Sequence, residues 1–138
     1  MIRRRSERRA VAAVELAVLL PFLLFLAVIA TDWARLLYFT ITINSCARSG
    51  ALYSSDAVLA AQSRYVTVKD AALAEAPGIL DANTTTVTPT PTIDSAGNRA
   101  VIVTVQTPFS TITNFPGVPS SQTLSRSVQM RVAPLATK

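Results

Sequence analysis

The residues that could do chemistry in this chain are few and lie far apart. It has no histidine and one cysteine, Cys46, so the commonest general base is missing and a zinc site cannot be assembled. Its eight Asp and Glu residues are spread singly, and no pair at i,i+3 or i,i+4 indicates shared acid–base work. Serine chemistry would need Lys69 or Lys138 as its base, and neither lies in a recognisable motif. The sequence therefore predicts no enzyme, no metal, no cofactor and no small-molecule substrate.

One carboxylate is unusual because of its surroundings. Glu15 is the only charged residue from Ala10 to Ala30, a stretch that would span about 30 Å as a helix, the thickness of a bilayer's hydrocarbon core. An acid at such a depth is unfavourable unless it has a partner. Two interpretations stay open: Glu15 reaches back to the interface near Arg8 or Arg9, or it pairs with a specific group inside the membrane.

The flanks of the apolar stretch predict how it crosses the membrane. Five arginines precede it, whereas Asp32 and Arg35 follow, so the positive-inside rule places the N-terminus in the cytoplasm. Trp33 and Tyr38 are typical of an interfacial aromatic anchor, and Arg8, Arg9 and Arg35 complete the predicted membrane-interface residues. We expect a single pass through the inner or cytoplasmic membrane, with the C-terminal region in the periplasm or at the cell surface. A cleaved signal peptide is the competing interpretation.

The net charge of +5 comes mainly from the arginine-rich tip, so the sequence predicts no nucleic-acid partner. We divide the chain into a basic leader (1–10), a transmembrane helix (11–32) and an extracytoplasmic αβ domain (33–138). Apolar residues at mixed three- and four-residue spacings extend the helix from about Val11 to about Tyr53. Small residues follow Cys46 and would allow close approach of either the chain's own sheet or a neighbouring helix. Cys46 itself is expected to be a small buried residue, with an intermolecular disulfide as the alternative.

The rest of the domain should contain a second helix and a small sheet. Asp56 is a candidate N-cap for a helix that Pro77-Gly78 would end. Extended character is predicted for 83–93, 100–107 and 124–132, with a turn at 94–98 and a loop at 108–121 that Phe109 and Phe115 would hold. The fold class is therefore α+β: a long N-terminal transmembrane helix continuing into a small domain with a second helix and a roughly three-stranded antiparallel sheet.

Several short segments in this order resemble the TadE-like family, the minor pilins or pseudopilins of the tight-adherence (Tad) pilus system. They are "AAVEL" at 12–16, "LLP" at 19–21, "ARLLY" at 34–38 and "CARSGALY" at 46–53, with weaker matches at 103–109 and 130–132. The resemblance implies a structural protein of the membrane that meets other pilin subunits, the Tad assembly machinery and a prepilin peptidase.

The resemblance also implies roles for three residues. Family processing places the glutamate fifth in the mature chain, so Val11 would be the first mature residue and Ala10 would precede the cut. The family usually has glycine where this chain has Ala10. Cleavage would create an α-amino group on Val11, charged near neutral pH, as a partner for Glu15 in assembly and register.

We therefore expect a minor pilin or pseudopilin that contributes to Tad-type pilus biogenesis and surface adhesion. The alternative is an unprocessed, single-pass, membrane-anchored binding domain of the envelope that never enters a filament.

Overall fold

The structure is a computed structural model that describes residues 3–112 and 120–134, with the backbone alone described for residues 3–10. The elements in chain order are α1 (Arg3–Ser55), α2 (Ala57–Gln62), α3 (Val68–Leu73), β1 (Thr86–Ile93), β2 (Arg99–Ser110) and β3 (Ser121–Arg131). The predicted α+β class, with a long apolar helix followed by a three-stranded antiparallel sheet, is confirmed.

Helix α1 has two halves with different surroundings. It passes through Pro21 without interruption, and nearly every side chain from Val11 to Thr31 is exposed. In the second half one face becomes buried, at Ile43, Cys46, Ala47 and Ala51. These positions recur at the three- and four-residue spacing that places side chains on one side of a helix. The first half of α1 is therefore an exposed apolar helix, and one face of its second half forms part of the core of the folded domain.

Gly50 lies where α1 packs tightly against β2 and α3. A Cβ added there would lie 3.2 Å from Cγ1 of Val103 on β2 and 3.3 Å from Cβ of Ala72 on α3. Ala47 and Ala51 beside it are fully buried within the same chain. The small residues after Cys46 thus pack against the chain's own sheet and α3, which is the first of the two contacts predicted for them.

The predicted second helix is wrong in its extent, because the structure has two short helices in its place. Asp56 caps α2 as predicted: its carboxylate accepts hydrogen bonds from the backbone N–H groups of Val58 and Leu59. The helix then ends at Ser63. A new helix begins after Thr67, whose hydroxyl accepts from the N–H of Asp70 while the Asp70 carboxylate accepts from the N–H of Thr67. This capping box makes a helix start at 67 more favourable than helix continuation.

The sheet has the order β1-β2-β3, so β2 is central. From Val101 to Ser110 its residues alternate between buried and more exposed positions. Val101, Val103 and Val105 face α1, which confirms the predicted alternation. The turn at 94–98 is also confirmed: the Asp94 carboxylate accepts from the N–H groups of Ala96 and Asn98.

Strand β1 is an edge strand that contains two prolines, and it lies within the segment predicted to be extended. Pro89 pairs with Val103 and Pro91 with Val101. Proline has no N–H, and a sheet accepts it where that group would point away from the neighbouring strand. Pro89 and Pro91 are two residues apart, so their backbone nitrogens face the same side of β1. The free edge of β1 therefore lacks hydrogen-bond donors at these two positions.

The loop predicted over 108–121 is shorter than expected. Strand β2 continues to Ser110 and pairs there with Ser121 at the start of β3, and Pro108 pairs with Thr123 inside the ladder. Phe109 is buried at the end of β2, whereas Phe115 lies outside the described residues. Proline predicted the end of the strand. However, β1 pairs with β2 only as far as Gln106, so Pro108 has β3 as its one neighbouring strand and needs no N–H on its other side.

Candidate membrane and assembly surface

The N-terminal half of α1 is the largest uncovered apolar surface of the described residues. Among these residues one helix is long and apolar enough to cross a membrane. Its exposed large side chains include Val11, Val14, Leu16, Val18, Leu19, Leu20, Phe22, Leu23, Leu24 and Leu26. Monomeric soluble proteins rarely expose an apolar area of this size, so another apolar phase must cover it. The helix indicates a single-pass membrane anchor.

The residues predicted for processing and register lie at the start of this surface. Val11 and Glu15 are both exposed, and they are four residues apart on an unbroken helix, hence on the same face one turn apart. The backbone at Arg8, Arg9 and Ala10 is helical, and their side chains lie outside the described part of the chain. The described geometry therefore leaves room for a group that approaches Glu15 from outside, and the processing and register roles stay predictions.

At the end of the apolar stretch a buried carboxylate joins the helix to the sheet. Asp32 is 8 % exposed, and its Oδ1 accepts a hydrogen bond of 3.0 Å from the backbone N–H of Ile112, which follows β2. Arg35 lies one turn further along α1, with its guanidinium 3.4 Å from the same oxygen. The sequence reasoning treated Asp32 only as a flanking charge. The available signal was an acid placed directly after a long apolar run, where a carboxylate needs a donor.

Aromatic rings extend this junction towards the core. The guanidinium of Arg35 lies 5.4 Å from the centre of the Phe109 ring, within the range of a cation–π contact. Phe109 in turn meets Phe39 edge to face at 5.3 Å between centroids. Contacts from two turns of α1 thus hold the end of β2. Of the predicted interface residues, Arg35 is engaged here, whereas Trp33 and Tyr38 are exposed on the helix.

Cys46 lies in the middle of the packed face of α1. It is fully buried, as predicted for a small core residue. Burial, reinforced by the charge of Glu75, raises the pKa of the thiol from 9.0 to about 11. A buried thiol that resists ionisation is a poor nucleophile and is closed to a second chain while the domain is folded. This position disfavours the alternative of an intermolecular disulfide.

The end of the domain away from the anchor carries a charged pair and an open recess. Arg131 donates to Oδ2 of Asp94 at 2.9 Å, which joins β3 to the turn between β1 and β2. The N–H of Asn98, its side-chain amide and Arg131 lower the pKa of Asp94 to about 2. Beside this pair a recess of about 680 Å³ lies between the start of α2 and the end of β3. In the described residues no three His, Cys, Asp or Glu side chains come together as a metal site would require.

The fold and its uncovered surface define an α+β domain carried on a single N-terminal apolar helix. Residues 10–52 match the model of the family described as TadE-like protein, which confirms the resemblance predicted from the sequence. The match covers the apolar half of α1 and nearly all of its packed half, and it indicates a function related to the Tad pilus, in a family that is structural and not enzymatic. The weaker resemblances at 103–109 and 130–132 lie beyond the matched residues. The chain has no significant match among curated proteins or among solved structures.

Proposed function

We propose that this chain is a minor pilin or pseudopilin of Tad-type pilus biogenesis and contributes to surface adhesion. It is held in the inner or cytoplasmic membrane by α1, with the N-terminus cytoplasmic and the domain from residue 33 onwards outside. The observation that carries the proposal is the continuity of α1. A single helix runs from the exposed apolar stretch into the domain core, and the TadE-like match follows that helix from residue 10 to residue 52.

The apolar stretch favours assembly with other helices. In the membrane, lipid covers the side chains from Val11 to Ala30. If the subunit leaves the bilayer, the same side chains need an equally apolar cover, and helices of neighbouring pilin subunits provide one. The partners are therefore other pilin subunits and the Tad assembly machinery, and the folded domain travels outward with its helix.

Processing would complete the site at the start of the helix. A prepilin peptidase that cuts after Ala10 removes the arginine-rich leader and leaves an α-amino group on Val11. Glu15 lies one turn further along the same face, so the amine of its own or an adjacent subunit can reach it. An unpaired carboxylate in an apolar surrounding is penalised, and pairing relieves much of that penalty. Glu15 thereby favours one register of neighbouring helices over others.

The test is the N-terminus of the protein extracted from membranes that contain the Tad system. Intact mass and N-terminal sequencing should show a chain that begins at Val11. A chain that begins at Met1 and is missing from fibres would overturn the proposal and favour an unprocessed envelope binding domain. A chain cut beyond Ala30 would instead identify a secreted domain.

The role of Glu15 is tested by substitution with a matched control. Glu15→Gln keeps the shape and removes the charge, and Glu75→Gln makes the same change at an exposed site in the folded domain. We expect Glu15→Gln to be reduced in the sheared-fibre fraction and Glu75→Gln to behave as the parent. Equal amounts of both variants in that fraction would sink the register role of Glu15.

A further inference from the structure

Ile112, two residues beyond the end of β2, is hydrogen-bonded to α1 at Asp32. The N–H of Ile112 donates to Oδ1 of Asp32 at 3.0 Å, across 80 positions of sequence. Asp32 is almost completely buried there, so the bond is shielded from competing water. This hydrogen bond holds Ile112 next to the turn of α1 that contains Asp32.

That turn lies where the bilayer surface must be if α1 spans the membrane. The apolar stretch begins at about Val11, and twenty residues of helix cover the hydrocarbon core of about 30 Å. The headgroup region adds roughly 5–7 Å on each side, which corresponds to about four residues of helix after Ala30. Asp32 and Trp33 fall inside that layer. Because Ile112 is hydrogen-bonded to Asp32, it falls inside the layer too.

The side chains at this height are those that an interface accepts. Ile112 is 65 % exposed and Trp33 is 62 % exposed, although both are large and apolar. Arg35 lies one turn beyond Asp32, with its guanidinium partly exposed beside Phe109. Amphipathic aromatic and cationic groups of this kind concentrate at the headgroup level. Ile112, just after β2, lies at the same depth as Asp32 although it is distant from it in sequence.

We propose that the domain rests directly on the lipid surface, with Ile112, two residues beyond β2, inserted among the phospholipid headgroups. The contact rests on the membrane anchoring proposed above. The anchor therefore has two parts, the helix that spans the bilayer and a foot at Ile112 that fixes the tilt of the domain. Asp32 is the positioning residue of that foot.

Tryptophan quenching in vesicles tests this contact, since Trp33 is the only tryptophan of the chain. The full chain is reconstituted in phosphatidylcholine vesicles that contain lipids brominated near the headgroup end of the acyl chain. The parent protein reports on the helix. The double variant Trp33→Phe/Ile112→Trp reports on the foot, and Trp33→Phe/Leu59→Trp places an equally exposed reporter on α2 as the control.

We expect quenching and a blue-shifted emission for the parent and for the Ile112→Trp variant, and neither for the Leu59→Trp variant. Quenching of the parent without quenching of the Ile112→Trp variant would overturn the foot and leave the anchor intact. An unquenched parent would overturn the anchor itself. Blue-shifted emission of the Ile112→Trp variant without quenching would show that protein covers residue 112, which also overturns the lipid contact.

A second substitution tests the positioning role of Asp32. In the Trp33→Phe/Ile112→Trp background, Asp32→Ala removes the acceptor of the bond to residue 112. Quenching should then fall towards that of the Leu59→Trp control, while protection of the Cys46 thiol from labelling shows that the domain is still folded. Unchanged quenching in a folded Asp32→Ala variant would refute the positioning role.

Discussion

Replacement of Gly50 by leucine tests whether the close approach of α1 to the sheet holds the domain together. A Cβ at this position already lies 3.2 Å from Cγ1 of Val103 and 3.3 Å from Cβ of Ala72, both of which are fully buried. The further carbons of leucine have no free space to enter. Either β2 or α3 must therefore move away from α1.

The magnitude follows from two opposing effects. Overpacking a filled core costs about 1–3 kcal/mol, and replacing glycine inside a helix returns up to about 1 kcal/mol. Leucine adds four carbons at a filled site, so its overpacking cost should lie in the upper part of that range, at about 2–3 kcal/mol. We therefore expect Gly50→Leu to lose about 1–2 kcal/mol of unfolding free energy, which raises the unfolded fraction roughly 5–30-fold. Gly50→Ala adds only the Cβ, so its neighbours give by a few tenths of an ångström and the change stays within about 1 kcal/mol.

The thiol of Cys46 provides the assay. It is the only cysteine of the chain, it is fully buried, and its pKa of about 11 keeps it protonated in the folded domain. A thiol reagent therefore labels the chain when the domain opens. In detergent micelles the full-length Gly50→Leu variant should be labelled about 5–30 times faster than the parent.

Ser45→Leu is the matched control, because Ser45 is exposed on the neighbouring turn of the same helix. It should be labelled at the parental rate, since exposed substitutions change stability by less than about 0.5 kcal/mol. If Gly50→Leu also reacts at the parental rate and keeps the parental urea midpoint, the helix and the sheet are not in tight contact at Gly50. Close packing of α1 against β2 and α3 would then be refuted.

Two further predictions concern the core and the far end of the domain. Ile43→Ala should destabilise the domain by about 2–5 kcal/mol, because Ile43 is fully buried. The control Ile41→Ala, two residues away and exposed, should change the urea midpoint little. Equal urea midpoints for the two variants would contradict the assigned buried face of α1. Asp94→Asn should lower the midpoint at neutral pH, because donors from Asn98 and Arg131 favour the ionised carboxylate. The folded-state pKa of Asp94 is lowered from 3.8 to about 2, so this stabilisation is fully present above pH 3.8 and is lost as the pH falls through about 2. If Asp94→Asn and the parent still differ in urea midpoint below that pH, the charge of Asp94 is not the cause.

The long helix, the strands and the turn were predictable from the sequence because each depends on local pattern. Alternation of valines predicted β2, and Asp56 predicted the start of α2. The break before α3 also had a local signal, the Thr67-x-x-Asp70 capping box, which the sequence reasoning overlooked. The sequence could indicate that Asp32 needs a donor but not that Ile112 supplies it, since the bond joins positions 80 residues apart and depends on how far β2 continues beyond Pro108. The apolar stretch of α1 was predictable from composition, whereas the proposed lipid contact of Ile112 depends on a tertiary contact.

The two prolines of β1 determine which symmetries a contact between sheets can have. Head-to-tail pairing of β1 with β3 of the next copy would be heterologous and would leave a free edge at each end, so it could continue without limit. The missing donors at Pro89 and Pro91 weaken that pairing. Pairing of β3 with β3 does not involve these prolines, but it is isologous, uses the free β3 edge of both copies and closes at two copies. Open-ended pairing of sheets between copies of this domain is consequently disfavoured.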